Sequence, residues 1–222
     1  MDTVPRKTVF EVIGLELEGA VAVPEQACGV VLFVHAGGGS RHDTTDVLIA
    51  RALNQQHLAT VLVDLLTRAE QEIAGADQDR FDPTTLGPRV VALADELAVH
   101  GPTARLRGAL CGTGTGAAGA LVAAAARPNW THAVFSRAGR PDLAGEFVRL
   151  VRCPALLVVG ETDGPVREVN ERAEAEFPRT ARVALVPGAS VLREEPPAVR
   201  LVTELARDWF ALRLGARSRA RR

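Results

Sequence analysis

The chain has 222 residues, with 26 Lys+Arg against 27 Asp+Glu, and 47% of its residues are hydrophobic. A formal net charge of -1 argues against a polyanion-binding protein, and the composition excludes disorder, collagen and coiled coil. No apolar run reaches the roughly 18 residues of a membrane helix, and the opening Met1-Asp-Thr-Val-Pro-Arg-Lys lacks the basic-then-apolar order of a signal peptide.

Taken in chain order, Thr8–Ile13 and Leu15–Val23 alternate and are joined through Gly14, so they read as an antiparallel edge pair. Gly29–His35 (GVVLFVH) is nearly all apolar, as a strand covered on both faces must be. Helical spacing follows over Asp46–Gln55, and a second buried strand over Thr60–Asp64. Leu66–Thr85 is polar and punctuated by Gly75 and Pro83, which predicts a long loop. Beyond it, helical patterns at Pro88–His100, Gly116–Arg127, Val166–Glu176 and Pro197–Leu214 alternate with strands at Leu106–Cys111, Thr131–Ser136, Ala155–Gly160 and Arg182–Val186. That alternation is the α/β signature: one domain over residues 1–214, with about eight strands and five or six helices. Residues 215–222 form a tail carrying Arg217, Arg219, Arg221 and Arg222, expected to be a frayed, solvated end rather than a nucleic-acid contact.

In an open parallel sheet, ligands sit beyond the carboxyl ends of the strands, so the chemistry is sought in the loops there. Cys28, Cys111 and Cys153 form no metal-ligand pair, and an odd count without an export signal fits a reducing cytoplasm. His35, His42, Asp43 and Asp46 match no strong metal spacing, and neither a metal nor a cofactor is expected. Arg41, Arg137 and Arg140 fall on one rim, where they either hold an acidic ligand or pair with Asp43, Asp142 and Glu146. Asp64 is either a helix cap or a pocket acid.

Two readings compete for Gly112-Thr-Gly-Thr-Gly116-Ala117. The spacing satisfies the dinucleotide fingerprint G-x-G-x-x-G/A, whose glycines let a pyrophosphate approach a helix N-terminus. However, that fingerprint normally follows the first strand of its unit, and several strands precede this one. The same residues read as a strand-to-helix nucleophile elbow, G-x-S-x-G, with Gly114 at the central position.

Here the chain resembles the dienelactone-hydrolase-like branch of the α/β-hydrolase superfamily. The likeness rests on GVVLFVHAGGGSRH (29–42), LATVLVDLLT (58–67), GTGTGAAGALVAAAARP (112–128), SRAGRPDLAG (136–145), LLVVGETDGPV (156–166) and VPGASVLREEP (186–196), in the family's order. It implies a mostly parallel sheet of about eight strands with helices on both faces. It also implies a nucleophile, an acid and a histidine. The acid falls on Asp163. The nucleophile falls on Gly114 and the histidine on Val191, so two of the three groups are absent. An oxyanion hole built from backbone amides would use Thr115 and Ala36 or its neighbour Gly37, with His35 supporting the loop. The expectation is a non-hydrolytic protein that binds a small carbonyl or carboxylate compound and promotes cyclisation or isomerisation. Alternatives are a partner-binding protein, an ester or lactone hydrolase with a displaced nucleophile (Cys111 or Ser190), and dinucleotide binding. The expected partner is the small ligand, with no nucleic acid and no membrane. A homodimer stays open.

Overall fold

The computed structural model describes residues 3–36, 40–74, 83–193 and 195–215. The edge pair forms as the alternation requires: β1 (Arg6–Val12) turns through Ile13 and Gly14 into β2 (Leu15–Ala22), in antiparallel register. The later strands are β3 (Gly29–His35), β4 (Leu58–Asp64), β5 (Arg107–Thr113), β6 (Thr131–Arg137), β7 (Ala155–Gly160) and β8 (Ala181–Val186). They complete an eight-stranded sheet in the order β1-β2-β4-β3-β5-β6-β7-β8. From β4 to β8 every pairing is parallel. β3 and β4 lie inside and are buried at every position, which is why neither alternates.

Helices cover both faces. On one side α1 (Thr44–Asn54) and α6 (Pro196–Leu214) enclose Phe33, Ile49, Phe135 and Phe210. On the other, α3 (Pro83–Val99), α4 (Gly116–Ala126) and α5 (Gly164–Glu176) cover Leu32, Val61, Leu110 and Leu157. The alanine-rich α4 is buried at nearly all positions, because side chains that small let it sit close to the sheet.

The long-loop expectation for 66–85 is corrected: α2 (Arg68–Ala74) lies inside it. The Thr67 hydroxyl accepts from the Glu70 amide at 3.3 Å while Glu70 accepts from the Thr67 amide at 2.8 Å, a reciprocal capping box. Arg89 then grips Glu70 with both guanidinium nitrogens, at 2.7 and 2.6 Å, and fastens α2 to α3. α3 begins at Pro83 rather than at Pro88 and runs through Pro88, forfeiting one helical hydrogen bond. Residues 141–150 form 3₁₀ turns kinked at Gly145. The arginine-bearing tail, 216–222, lies outside the described residues. Among the described residues no helix is long and apolar enough to cross a membrane.

Candidate functional site

The strand-to-helix turn after β5 has the geometry its glycines imply. Gly114 stands at its tip with φ +55°, a left-handed conformation that is unfavourable for side-chain-bearing residues. Its backbone is held on both sides: the Gly114 amide donates to Arg137 O at 3.3 Å, and Gly114 O accepts from the Arg140 amide at 3.0 Å. A side chain at Gly114 would meet nothing within 4 Å, so it would project into open space. The flanking glycines are needed for the opposite reason. A Cβ on Gly112 would stand 2.5 Å from the Ala117 Cα, and one on Gly116 would stand 2.4 Å from Val34 O. Those contacts press the start of α4 against the end of β3 and bring the Ala36 amide to the helix N-terminus. Gly37, the neighbouring oxyanion candidate, lies outside the described residues.

Above this turn opens a cleft of about 280 Å³. Gly114, Asp163 and Val191 all line it, so the three positions named by the resemblance converge. Asp163 is the N-cap of α5, and its side chain accepts from the Val166 amide at 3.4 Å. Val191 is 37% exposed at the rim. Beside it, Ser190 and Val191 turn their amides toward Glu195 at 3.3 and 3.5 Å. Ala36 also lines the cleft, while the Thr115 side chain is buried and its hydroxyl has no partner among the described residues.

The floor is a buried charged network. Arg137, at the end of β6, is 1% exposed and forks between two carboxylates: Nη2 lies 2.8 Å from Asp43 and 2.9 Å from Asp46, and Nε lies 3.2 Å from Asp46. His35 Nε2 meets Asp46 at 3.0 Å and its Nδ1 meets Val63 O at 3.2 Å. The neutral ring has one N–H and satisfies one of these two acceptors; the doubly protonated ring satisfies both. Thr113 donates its hydroxyl to Asp46 at 3.2 Å, away from the tip of the turn. Burial pushes the Asp46 carboxyl up, but the Arg137 charge and the His35 contact more than offset this and hold it down to about 2. Burial lowers the Arg137 guanidinium pKa, but Asp46 and Asp43 more than offset this and raise it above the usual value, so the cation is locked in.

Several residues expected around one ligand do not line this cleft. Arg41 and His42 line a different cleft, beside β2 and α1. Arg41 turns there because Asp64 accepts from both its amide and its guanidinium, and Glu18 takes the remaining edge. Asp64 is accordingly an ion-pair partner of Arg41 rather than a helix cap. Arg140 pairs with Asp142 at 2.7 Å and lies outside the cleft lining. Arg137 lines the cleft, but its charge is spent on Asp43 and Asp46. The Arg137–Asp43 pair is one of the two alternatives that the sequence leaves open, whereas the Asp46 and His35 members go beyond it, although an arginine ending an apolar strand signals a buried carboxylate partner.

The candidates for a displaced nucleophile are poorly placed. Cys111 is 1% exposed, and burial together with Asp46 pushes its thiol well above the usual range. Ser190 lines the cleft on a turn whose amide donates to Glu195 at 3.3 Å, and among the described residues no imidazole is a hydrogen-bond partner of its side chain. No cluster of three or more metal-ligating side chains occurs among the described residues.

No family profile matches the chain. Two curated proteins of Mycobacterium tuberculosis strains, provisionally named as phosphoribosyl transferases, are 42% identical over 192 residues. That stretch is 86% of this chain but 43% of theirs, so the chain spans less than half the length of these relatives. The solved dienelactone hydrolase of Anabaena variabilis is 40% identical, covers 96% of this chain and 100% of its own, and superposes with a TM-score of 0.90. The esterase Est1E of Butyrivibrio proteoclasticus has the same fold at 16% identity and a TM-score of 0.78, over 95% of this chain and 99% of its own. The strand order, the glycine turn between β5 and α4 and this full-length likeness agree: the chain belongs to the dienelactone-hydrolase branch of the α/β-hydrolase superfamily.

Proposed function

We propose that this chain holds a small, neutral carbonyl compound over Gly114 without forming an acyl-enzyme, and turns it over by a non-hydrolytic step such as isomerisation or cyclisation. The observation carrying this is the tip of the β5–α4 turn. Its φ of +55° and the open space above it suit an attacking side chain, and the residue there is glycine. Val191 stands where the proton carrier belongs and has no proton to exchange. Removing nucleophile and base together costs a serine hydrolase on the order of 10⁶ in rate. Backbone amides survive such losses, so Ala36 and Thr115 are assigned to the ligand's carbonyl oxygen, aided by the N-terminus of α4. Asp163 is assigned as the carboxylate that exchanges a proton with the ligand.

The ligand is taken as neutral because the cleft offers an anion little. Arg137 is committed to Asp43 and Asp46, Arg193 at the rim is engaged as well, and Asp163 adds a further negative charge. For the same reason we assign the transferase activity named for the mycobacterial relatives to the part of them outside the matched stretch.

The test is restoration. Gly114→Ser with Val191→His should gain p-nitrophenyl acetate hydrolysis and fluorophosphonate labelling, with the unaltered chain showing neither. Turnover by the unaltered chain that disappears in Ser190→Ala would replace this reading with that of a displaced-nucleophile hydrolase.

A further inference from the structure

A second cleft, of about 230 Å³, lies on the other side of the β3–α1 loop, between the sheet face and α1. Its construction follows from strand register. Lys7 pairs with Ala20 and Ala20 with Leu62, which sets the three side chains in one row on one face. Ala22 and Thr60 form the next row on that face. Leu62 packs into the core beneath α1, which fixes this as the α1 side of the sheet. Opposite stands a single helical stripe, Val47, Ala50, Arg51 and Asn54. Two alanines on the strand and one on the helix leave a trough where larger side chains would have closed the gap.

The trough has an apolar floor and a cationic rim. Lys7 and Arg51 line it from opposite sides, and among the described residues neither has an ion-pair partner. Arg41 walls one end but brings no spare charge, since Asp64 and Glu18 share its guanidinium. Thr60 is 1% exposed and accepts from Asn54 Nδ2 at 3.1 Å. Its own hydroxyl proton has no acceptor among the described residues. Two unpaired cations, a buried free donor and a small apolar bed are the elements of a site for a compact organic anion. The cleft over Gly114 shares none of these lining residues.

We infer that the trough between β2 and α1 is a second ligand site, which binds a small organic anion through Lys7 and Arg51 and seats its apolar body on Ala20, Ala22 and Leu62. The head group is a carboxylate or a phosphate.

Amide NMR spectra of the full chain, titrated with benzoate, phenyl phosphate and benzyl alcohol, test this. Either anion should shift the amides of Ala20, Ala22 and Val47 saturably, and the tighter of the two identifies the head group. Lys7→Gln with Arg51→Gln, both exposed positions, should weaken binding on the order of tenfold. Ala20→Leu, which fills the trough, should abolish it. The inference fails if neither anion gives saturable shifts or if the shifts centre on Thr113–Thr115. It also fails if benzyl alcohol binds as tightly as the anions, or if the Lys7/Arg51 variant binds them unchanged.

Discussion

Replacing Arg137 with methionine would show how much the cleft floor depends on charge balance. The methionine fills similar space but leaves Asp46 and Asp43 without their cation, so urea denaturation should show a loss of about 3–5 kcal/mol. Acid acts on the same network. Asp46 titrates at about 2 in the folded chain against an ordinary value of 3.8, so ionisation favours folding. That contribution, about 2 kcal/mol for a shift of this size, is complete above the unfolded value and lost as pH falls through 3.8 toward 2. Asp46→Asn should flatten that part of a stability-against-pH curve and lower the plateau at neutral pH. Of this network only the Arg137–Asp43 pair is among the alternatives that the sequence offers. Asp46 sits 91 residues from Arg137 and reads as an ordinary first-turn helix residue. The cysteines separate on simpler grounds. Cys28 is half-buried, whereas burial pushes the Cys153 thiol up to about 12 and the Cys111 thiol well beyond its usual range. Iodoacetamide should therefore modify Cys28 alone in the native chain, as mass spectrometry of the labelled peptides would show.

The β5–α4 junction shows what pattern can and cannot convey about an element. Three alternate glycines are visible in any reading of 112–116, but spacing alone fits both a pyrophosphate loop and an elbow. Neighbouring structure separates them, because a Cβ on Gly112 or Gly116 would run into Ala117 or Val34 whereas one on Gly114 would meet nothing within 4 Å. Alanine substitutions should therefore divide by mechanism. Gly112→Ala and Gly116→Ala meet backbone and should each cost about 1–3 kcal/mol or more from overpacking. Gly114→Ala meets only its own positive φ and should cost about 1 kcal/mol. Thermal melts of the three variants would check the order, and a Gly114→Ala loss equal to the others would contradict it. At α2 the signal was present and went unread: Thr67-Arg-Ala-Glu70 has capping-box spacing, hidden inside a stretch that polarity and Gly75 made look like loop. The buried strands β3 and β7 were legible to the residue, since continuous apolar runs in an α/β chain leave few alternatives.

Across the whole molecule, the residues that hold the fold and the residues that line the cleft overlap little. Phe210 is fully buried on α6, with its ring centroid 5.9 Å from that of Phe135, and Trp209 donates to Val134 O at 3.1 Å. Phe210→Ala should therefore cost about 3–5 kcal/mol, and it would damage the cleft only by loosening the entire α1–α6 layer. Val191 belongs to neither core cluster and stands 37% exposed on a turn whose backbone is fixed by Glu195 and Val186. A histidine there displaces no packed neighbour, so Val191→His should change stability by no more than about 0.5 kcal/mol. This separation decides what the restoration experiment measures. The Gly114 side chain would enter open space and the Val191 side chain already faces the cleft, so the double variant carries little cost beyond the backbone strain at Gly114. Equal urea midpoints for Val191→His and the unaltered chain, followed by a fall of about 1 kcal/mol on adding Gly114→Ser, would place any new esterase activity on the introduced groups rather than on a rearranged fold. A fall as large as that of Phe210→Ala would instead mean that the cleft and the core are coupled.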